Sequence, residues 1–213
     1  MSSMNHAKQH WEKLYATKEP HEVSWTQARP AASLSIIHSF ALPKQAPILD
    51  VGGGDSRLVD YLLDEGYENL TMLDISATAL AKAKYRLGER SQRVRWIEAD
   101  IREFVPDTQY AVWHDRAAFH FLTNAGEADQ YLHRVLTTLL PGGNLILGTF
   151  STSGPDRCSG LPVRRYCEQT LAAQMPAGLA KIDCLTQDHI TPFHATQSFL
   201  FCSFRREVSP LTA

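Results

Sequence analysis

Ile48-Leu49-Asp50-Val51 is an apolar run of strand length, and it leads directly into Gly52-Gly53-Gly54, Asp55 and a helical stretch from Ser56 to Glu65. Three glycines between a strand and a helix let the backbone turn tightly and approach a ligand closely, at a cost in conformational entropy that ordinary loop residues avoid. In an open α/β sheet this turn lies at the carboxyl edge of a strand, which is where such sheets bind ligands. The segment therefore predicts both a fold class and the place of a site.

From Pro47 onward, short apolar runs alternate with amphipathic stretches, the pattern of strands and crossover helices in a parallel sheet covered on both faces. The predicted strands are Ile48 to Val51, Leu70 to Leu73, Val94 to Ile97, Tyr110 to His114 and Asn144 to Phe150. Helices are predicted at Ser56 to Glu65, Ala77 to Arg90 and Glu127 to Leu140, with Pro141-Gly142-Gly143 closing the last in a tight turn. Ahead of the sheet, residues 5 to 17 read as an amphipathic helix carrying Trp11, Leu14 and Tyr15, and Ala31 to Ala41 as a helix opened at Pro30. Beyond a loop rich in Gly, Pro and Arg comes a short helix near Glu168 to Gln174. Ala180 to Leu185 and Ser198 to Phe204 then pair as an antiparallel hairpin, their connection being too short for a helical crossover. The expected organisation is one domain over 1–213, with an N-terminal cap at 1–30 and a core at 47–206.

With 44% hydrophobic and 21% charged residues, a chain of 213 residues has material for a substantial core. A net charge of -2 carries no electrostatic footprint for a nucleic-acid backbone, so no nucleic-acid partner is expected. No apolar stretch reaches spanning length, so no membrane is expected, and the N-terminus lacks the pattern of a secretory or transit peptide, which points to the cytoplasm. Cys158, Cys167, Cys184 and Cys202 are widely spaced with no Cys-x-x-Cys pair and read as reduced, partly buried thiols. The nine histidines lack metal-ligand spacing, and no metal site is expected. Assembly is expected to stop at a monomer or homodimer.

A dinucleotide fingerprint would place a third glycine where Arg57 stands, counting from Gly52 and Gly54, so pyrophosphate binding is not expected. The second strand ends at Asp74-Ile75, 24 residues after Asp50, where a carboxylate can accept both hydroxyls of a ribose. The third ends at Asp100-Ile101, an acid for an exocyclic amine and an apolar side chain for a purine ring. Each acid alone reads equally as a helix cap. Their recurrence at three successive strand ends favours one ligand site.

In these segments the chain resembles the class I S-adenosylmethionine-dependent methyltransferases, over about residues 10 to 206. The resemblance implies a Rossmann-like seven-stranded sheet of order 3-2-1-4-5-7-6, with strand 7 antiparallel and helices on both faces. It also implies S-adenosylmethionine as cofactor, with S-adenosylhomocysteine as product: the methionine end at Asp50, Gly52, Gly53 and Gly54, the ribose at Asp74 and Ile75, the adenine at Asp100 and Ile101. Locally, His10-Trp11-Glu12-Lys13-Leu14-Tyr15, Val23-Ser24-Trp25 and the run Trp113 to Phe121 resemble a small bacterial branch related to mitochondrial protein-lysine methyltransferases.

Trp11, Tyr15 and Trp25 suit a lid over donor and acceptor, with Trp25 as a cation-π partner of the sulfonium; Trp11 and Tyr15 read equally as core. Asp115 and Arg116 follow the fourth strand, facing the transferred methyl in this family with Asp115 also against the cofactor, or they close the strand as an ion pair. His120, His189 and His194 complete the expected catalytic set as groups that titrate near neutrality, and Arg164 and Arg165 suit a polar mouth. Asp115-Arg116-Ala117-Ala118 lacks the prolines of methyltransferases acting on planar nitrogens. The expected acceptor is a small molecule, a thiol, sulfide or related soft nucleophile; the alternatives are a protein lysine or a non-catalytic cofactor-binding module.

Overall fold

The computed structural model describes residues 3–208, with side chains from residue 6. Residues 1 and 2 of the expected cap and 209–213 of the expected domain lie outside the described residues. Seven strands form the main sheet: β1 (Ile48–Val51), β2 (Leu70–Asp74), β3 (Val94–Glu98), β4 (Tyr110–Arg116), β5 (Leu139–Phe150), β6 (Leu179–Ile190) and β7 (Thr196–Arg206). The helices are α1 (Ser3–Thr17), α2 (Ala31–Ser39), α3 (Leu58–Asp64), α4 (Ala77–Leu87), α5 (Ala125–Thr138) and α6 (Glu168–Ala172). The strand order is β3-β2-β1-β4-β5-β7-β6, with β1 to β5 parallel and β7 antiparallel to both its neighbours. This is the expected Rossmann-like sheet.

Strand alternation sorts the side chains between two cores. Ile48, Met72, Val112 and Ile146 pack with α2, α3 and α4 on one face. Leu49, Val51, Trp113, Leu145 and Leu147 pack on the other with Tyr131, Leu132 and Val135 of α5 and Leu171 of α6. Because both faces are covered, β1 and β2 are buried at every position, which is why they read as uninterrupted apolar runs.

Two features depart from the sequence reading. The fifth strand starts not at Asn144 but at Leu139, which pairs with Tyr110; residues 140–143 then bulge out before Asn144 meets Val112. Pro141 has no N–H for a ladder and Gly142 sits at φ +76°, so the turn is absorbed as an irregularity within the strand. Cys184 and Cys202 are not the reduced thiols expected from their spacing: they lie opposite each other across β6 and β7, Cα atoms 4.1 Å apart, joined as a disulfide. Only the hairpin register brings them together. Cys158 and Cys167 are free.

The cap is tied to the sheet through α4. Glu12 of α1 accepts hydrogen bonds from the backbone N–H groups of Ala77 (2.6 Å) and Thr78 (3.2 Å), satisfying donors that the start of a helix leaves open. Lys8 pairs with Glu98, and Lys82 Nζ donates to the Lys18 carbonyl at 2.9 Å. Tyr15 and Val23 are buried, so the cap is part of the packed body.

At the end of β4, alternation sends Asp115 to the α5 face. Its Oδ1 accepts from the backbone N–H groups of Ala118 and Phe119, each at 3.0 Å, and its Oδ2 accepts from the Tyr131 hydroxyl at 2.6 Å. Trp113 Nε1 donates in turn to that hydroxyl at 2.8 Å. Asp115→Ala would leave buried donors unpaired, at an expected cost of about 3 kcal/mol in urea unfolding. A loss below about 0.5 kcal/mol would show that the carboxylate is not what holds this turn.

Candidate active site

The turn after β1 is shaped by its glycines. Gly52 and Gly54 have φ of +62° and +55°, and a Cβ on Gly53 would stand 2.9 Å from both Asp50 Oδ2 and Met72. Gly54 N–H donates to Asp74 Oδ2 and Ser76 N–H to Asp74 Oδ1, both at 2.8 Å, joining the ends of β1 and β2. Arg86 of α4 pins the turn from behind, donating to the carbonyls of Asp55 (2.8 Å) and Ser56 (2.7 Å) while gripping Asp60 through Nε and Nη2. Burial pushes the Asp74 carboxyl up to about 7, against the two backbone N–H groups that favour its ionised form.

Asp50 has a partner that sequence reasoning missed. β1 and β4 run in register with Asp50 beside His114, whose Nδ1–H donates to Asp50 Oδ1 at 2.7 Å. Ser33 of α2 meets His114 Nε2 at 2.8 Å, so the carboxylate is oriented from two elements. Asp50 Oδ2 is buried with no hydrogen-bond partner. A bare carboxylate oxygen beside a glycine face fits the ammonium of an amino acid, and this is the end of S-adenosylmethionine expected here. His114 was legible only through strand parity, which gives it the face of Asp50 once β1 and β4 are neighbours.

Asp50, Gly52, Gly53, Asp74, Ile75, Asp100, Ile101, Arg116 and Trp25 all line one cavity of about 800 Å³ at the carboxyl edge of the sheet. Gly54 supports it from behind, its position covered by the Tyr15 hydroxyl. The Asp100 carboxylate is gripped by Arg102 at 2.6 Å; burial alone would raise its pKa, but the Arg102 side-chain and backbone hydrogen bonds hold it below the usual range. Tyr15 and Trp11, left open between lid and core, belong to both. Trp11 meets Trp25 and Phe121 edge-on, Tyr15 is buried, and both line the cavity.

The expected catalytic set is not brought together. Asp115 and Arg116 do not pair; alternation puts them on opposite faces, and of the two only Arg116 lines the cavity. Ala117, at φ +68°, makes the sharp turn that follows. His120 is fully buried outside the lining, its Nδ1 accepting the Phe150 N–H at 3.4 Å, and burial together with the Arg116 charge pushes it down to about 3. His189 donates through Nε2–H to the Ser24 carbonyl at 2.6 Å and clasps the hairpin to the cap; burial lowers its pKa. His194 is exposed in the turn between β6 and β7 with φ +63°. Arg164 and Arg165 do not line the cavity. Among the described residues no group of three or more His, Cys, Asp or Glu is placed to hold a metal, and no helix is long and apolar enough to cross a membrane.

A carboxylate that must accept two ribose hydroxyls works in its ionised form, and Asp74 loses that form as pH falls through about 7. S-adenosylhomocysteine affinity should therefore fall about tenfold from about pH 8 to about pH 6, an effect calorimetry can read directly and Asp74→Asn should abolish. An affinity flat over that range in the unsubstituted protein would show that Asp74 does not hold the ribose.

Residues 48–143 match the family of methyltransferase domains. Over 144 residues the chain is 26% identical to the eEF1A lysine and N-terminal methyltransferase of Mus musculus, covering 64% of this chain and 20% of that protein; it thus spans about a fifth of this relative. A structure solved for the conversion of a disulfide bond into a thioacetal group during echinomycin biosynthesis superposes with a TM-score of 0.78 at 16% identity, covering 97% of this chain and 94% of that one. The 1,6-didemethyltoxoflavin-N1-methyltransferase of Burkholderia thailandensis, solved with bound 1,6-didemethyltoxoflavin and S-adenosylhomocysteine, gives a TM-score of 0.66 at 20% identity over 97% of this chain and 92% of that one. A glycine turn and three strand-end acids alone would suit many nucleotide sites; with this sheet order, the match over residues 48–143 marks the turn and its acids as part of a methyltransferase domain.

Proposed function

We propose that this chain transfers the methyl group of S-adenosylmethionine to a small-molecule acceptor whose reacting atom is a thiol, sulfide or related soft nucleophile. The observation that carries the proposal is the wall of the cavity over the ends of β4, β5 and β6. Trp25, Arg116, Phe121, Cys158 and Ile190 line it with no carboxylate or imidazole among them; the two histidines of the whole cavity are His21 of the cap and His114, which is engaged by Asp50 and Ser33. With no base in this wall, the acceptor must enter already deprotonated, as an appreciable fraction of thiols in solution are near neutrality and lysine ammonium groups are not.

The cofactor supplies a methyl group activated on a sulfonium. The chain's part is to hold donor and acceptor in line and dry. Asp50, oriented by His114 and Ser33, and the Gly53 backbone hold the amino-acid end, Asp74 the ribose, and Asp100 with Ile101 the adenine. Trp11, Tyr15 and Trp25 exclude water from above. The thiol gives its proton to solvent before it is enclosed, and the thiolate lone pair then forms the new bond to carbon as the bond from that carbon to the donor sulfur breaks.

Similarity to a lysine methyltransferase over 64% of the chain favours a protein acceptor as the second reading. Incubating the chain with a cell extract and methyl-labelled donor, then separating small molecules from protein, distinguishes them. Label is expected in the small-molecule fraction, on sulfur. Label on protein would overturn the proposal in favour of lysine transfer, and label in neither, with the product still bound tightly, would mean a binding module.

A further inference from the structure

Arg116, in the cavity lining, is a cation with no carboxylate in contact, although the Asp50 charge lies near enough to favour it. Arg116 Nη1 donates to the Trp25 carbonyl at 3.0 Å, and the guanidinium lies over the Phe199 ring with its carbon 4.6 Å from the centroid. Its Nε and Nη2 are buried and make no hydrogen bond. Among the described residues no carboxylate lies within 4.0 Å of it. Cys158, also in the lining, does not answer the charge, since burial pushes its thiol up to about 11. A buried guanidinium with two idle donors is costly unless something arrives to use them.

The idle edge is the one this molecule uses elsewhere for carboxylates. Arg86 takes Asp60 with Nε at 3.0 Å and Nη2 at 2.8 Å, and Arg102 takes Asp100 with Nε at 3.0 Å and Nη2 at 2.6 Å. Arg116 is a lining residue of the cavity with that same fork buried and unpartnered, held in place by the Trp25 carbonyl and the Phe199 face. The fork matches a planar two-oxygen anion and binds a neutral group of that shape more weakly.

We propose that Arg116 is the docking point for a carboxylate on the methyl acceptor, so that the substrate is an anionic small molecule, a mercapto acid or its like. This deepens the small-acceptor reading and rests on it. A carboxylate anchored at Nε and Nη2 fixes one end of the acceptor, leaves its sulfur to meet the donor methyl, and selects against a lysine ammonium by repulsion. The cofactor's own carboxylate is a second source of the same chemistry, and the test separates the two.

Calorimetry of the protein saturated with S-adenosylhomocysteine, titrated with 3-mercaptopropionate or with its methyl ester, reads the proposal without turnover. The acid is expected to bind at least about tenfold more tightly than the ester. Arg116→Gln should erase that preference, Arg116→Lys should restore part of it, and S-adenosylhomocysteine affinity should change less than about twofold in either. Equal binding of acid and ester, or binding of neither at millimolar concentration, overturns the proposal while product binding keeps the methyltransferase reading intact. If Arg116→Gln instead weakens S-adenosylhomocysteine but not carboxylate-free 5′-methylthioadenosine, the anion is the cofactor's and the proposal fails. Absence of product binding in the unsubstituted protein would reject the function itself. The comparison of acid with ester needs no variant, so it stands even if Arg116→Gln folds poorly.

Discussion

The hydrogen bond from the Gly54 N–H to Asp74 Oδ2 joins two strand ends into one site. It exists because Gly54 takes a left-handed conformation that carries its N–H across to β2, and a side chain there would meet the Tyr15 hydroxyl at 2.2 Å. Tyr15 of the cap, the glycine turn and Asp74 are thus interlocked. Arg86 completes the lock by tying the same turn to α4 and Asp60. Each member holds the next, and the cavity is what their backbones and side chains leave between them.

Alternation along β4 decides the other half of the site. His114 and Arg116 share the face of Asp50, while Trp113 and Asp115 go to the opposite core. One polar strand end therefore serves two purposes. His114 orients Asp50, Asp115 caps the turn with the help of Tyr131, and the bend at Ala117 leaves Arg116 in the cavity lining. The hairpin and the cap are drawn over this end by His189 on the Ser24 carbonyl and Arg116 on the Trp25 carbonyl, so the two parts of the chain that vary most in sequence distance close the site together.

Legibility in the sequence followed the range of the interactions. The parallel sheet, its order through the resemblance, and the acids at Asp50, Asp74 and Asp100 rest on local patterns, an apolar run followed by an acid and a turn. His114 as the partner of Asp50 rests on a register between strands that are far apart in the chain. Cys184 and Cys202 likewise meet only through the hairpin register, so their spacing of 18 residues suggested nothing. Asp115, His120, His189 and His194 carry the chemistry of catalysis in their side chains, and at the level of sequence a buried cap, a buried imidazole, a clasp and an exposed turn look alike. Parity along β4 was available to separate Asp115 from Arg116; burial of His120 was not.

The central claim is that the interlocked turn, acids and lid form a site for S-adenosylmethionine and for no dinucleotide. Calorimetric titration of the unmodified chain with S-adenosylhomocysteine and, separately, with NAD tests it most directly. One equivalent of S-adenosylhomocysteine should bind with a dissociation constant on the order of micromolar, and NAD should give no heat of binding because Arg57 stands where a third glycine would be needed. Saturable binding of NAD with no binding of S-adenosylhomocysteine would contradict it.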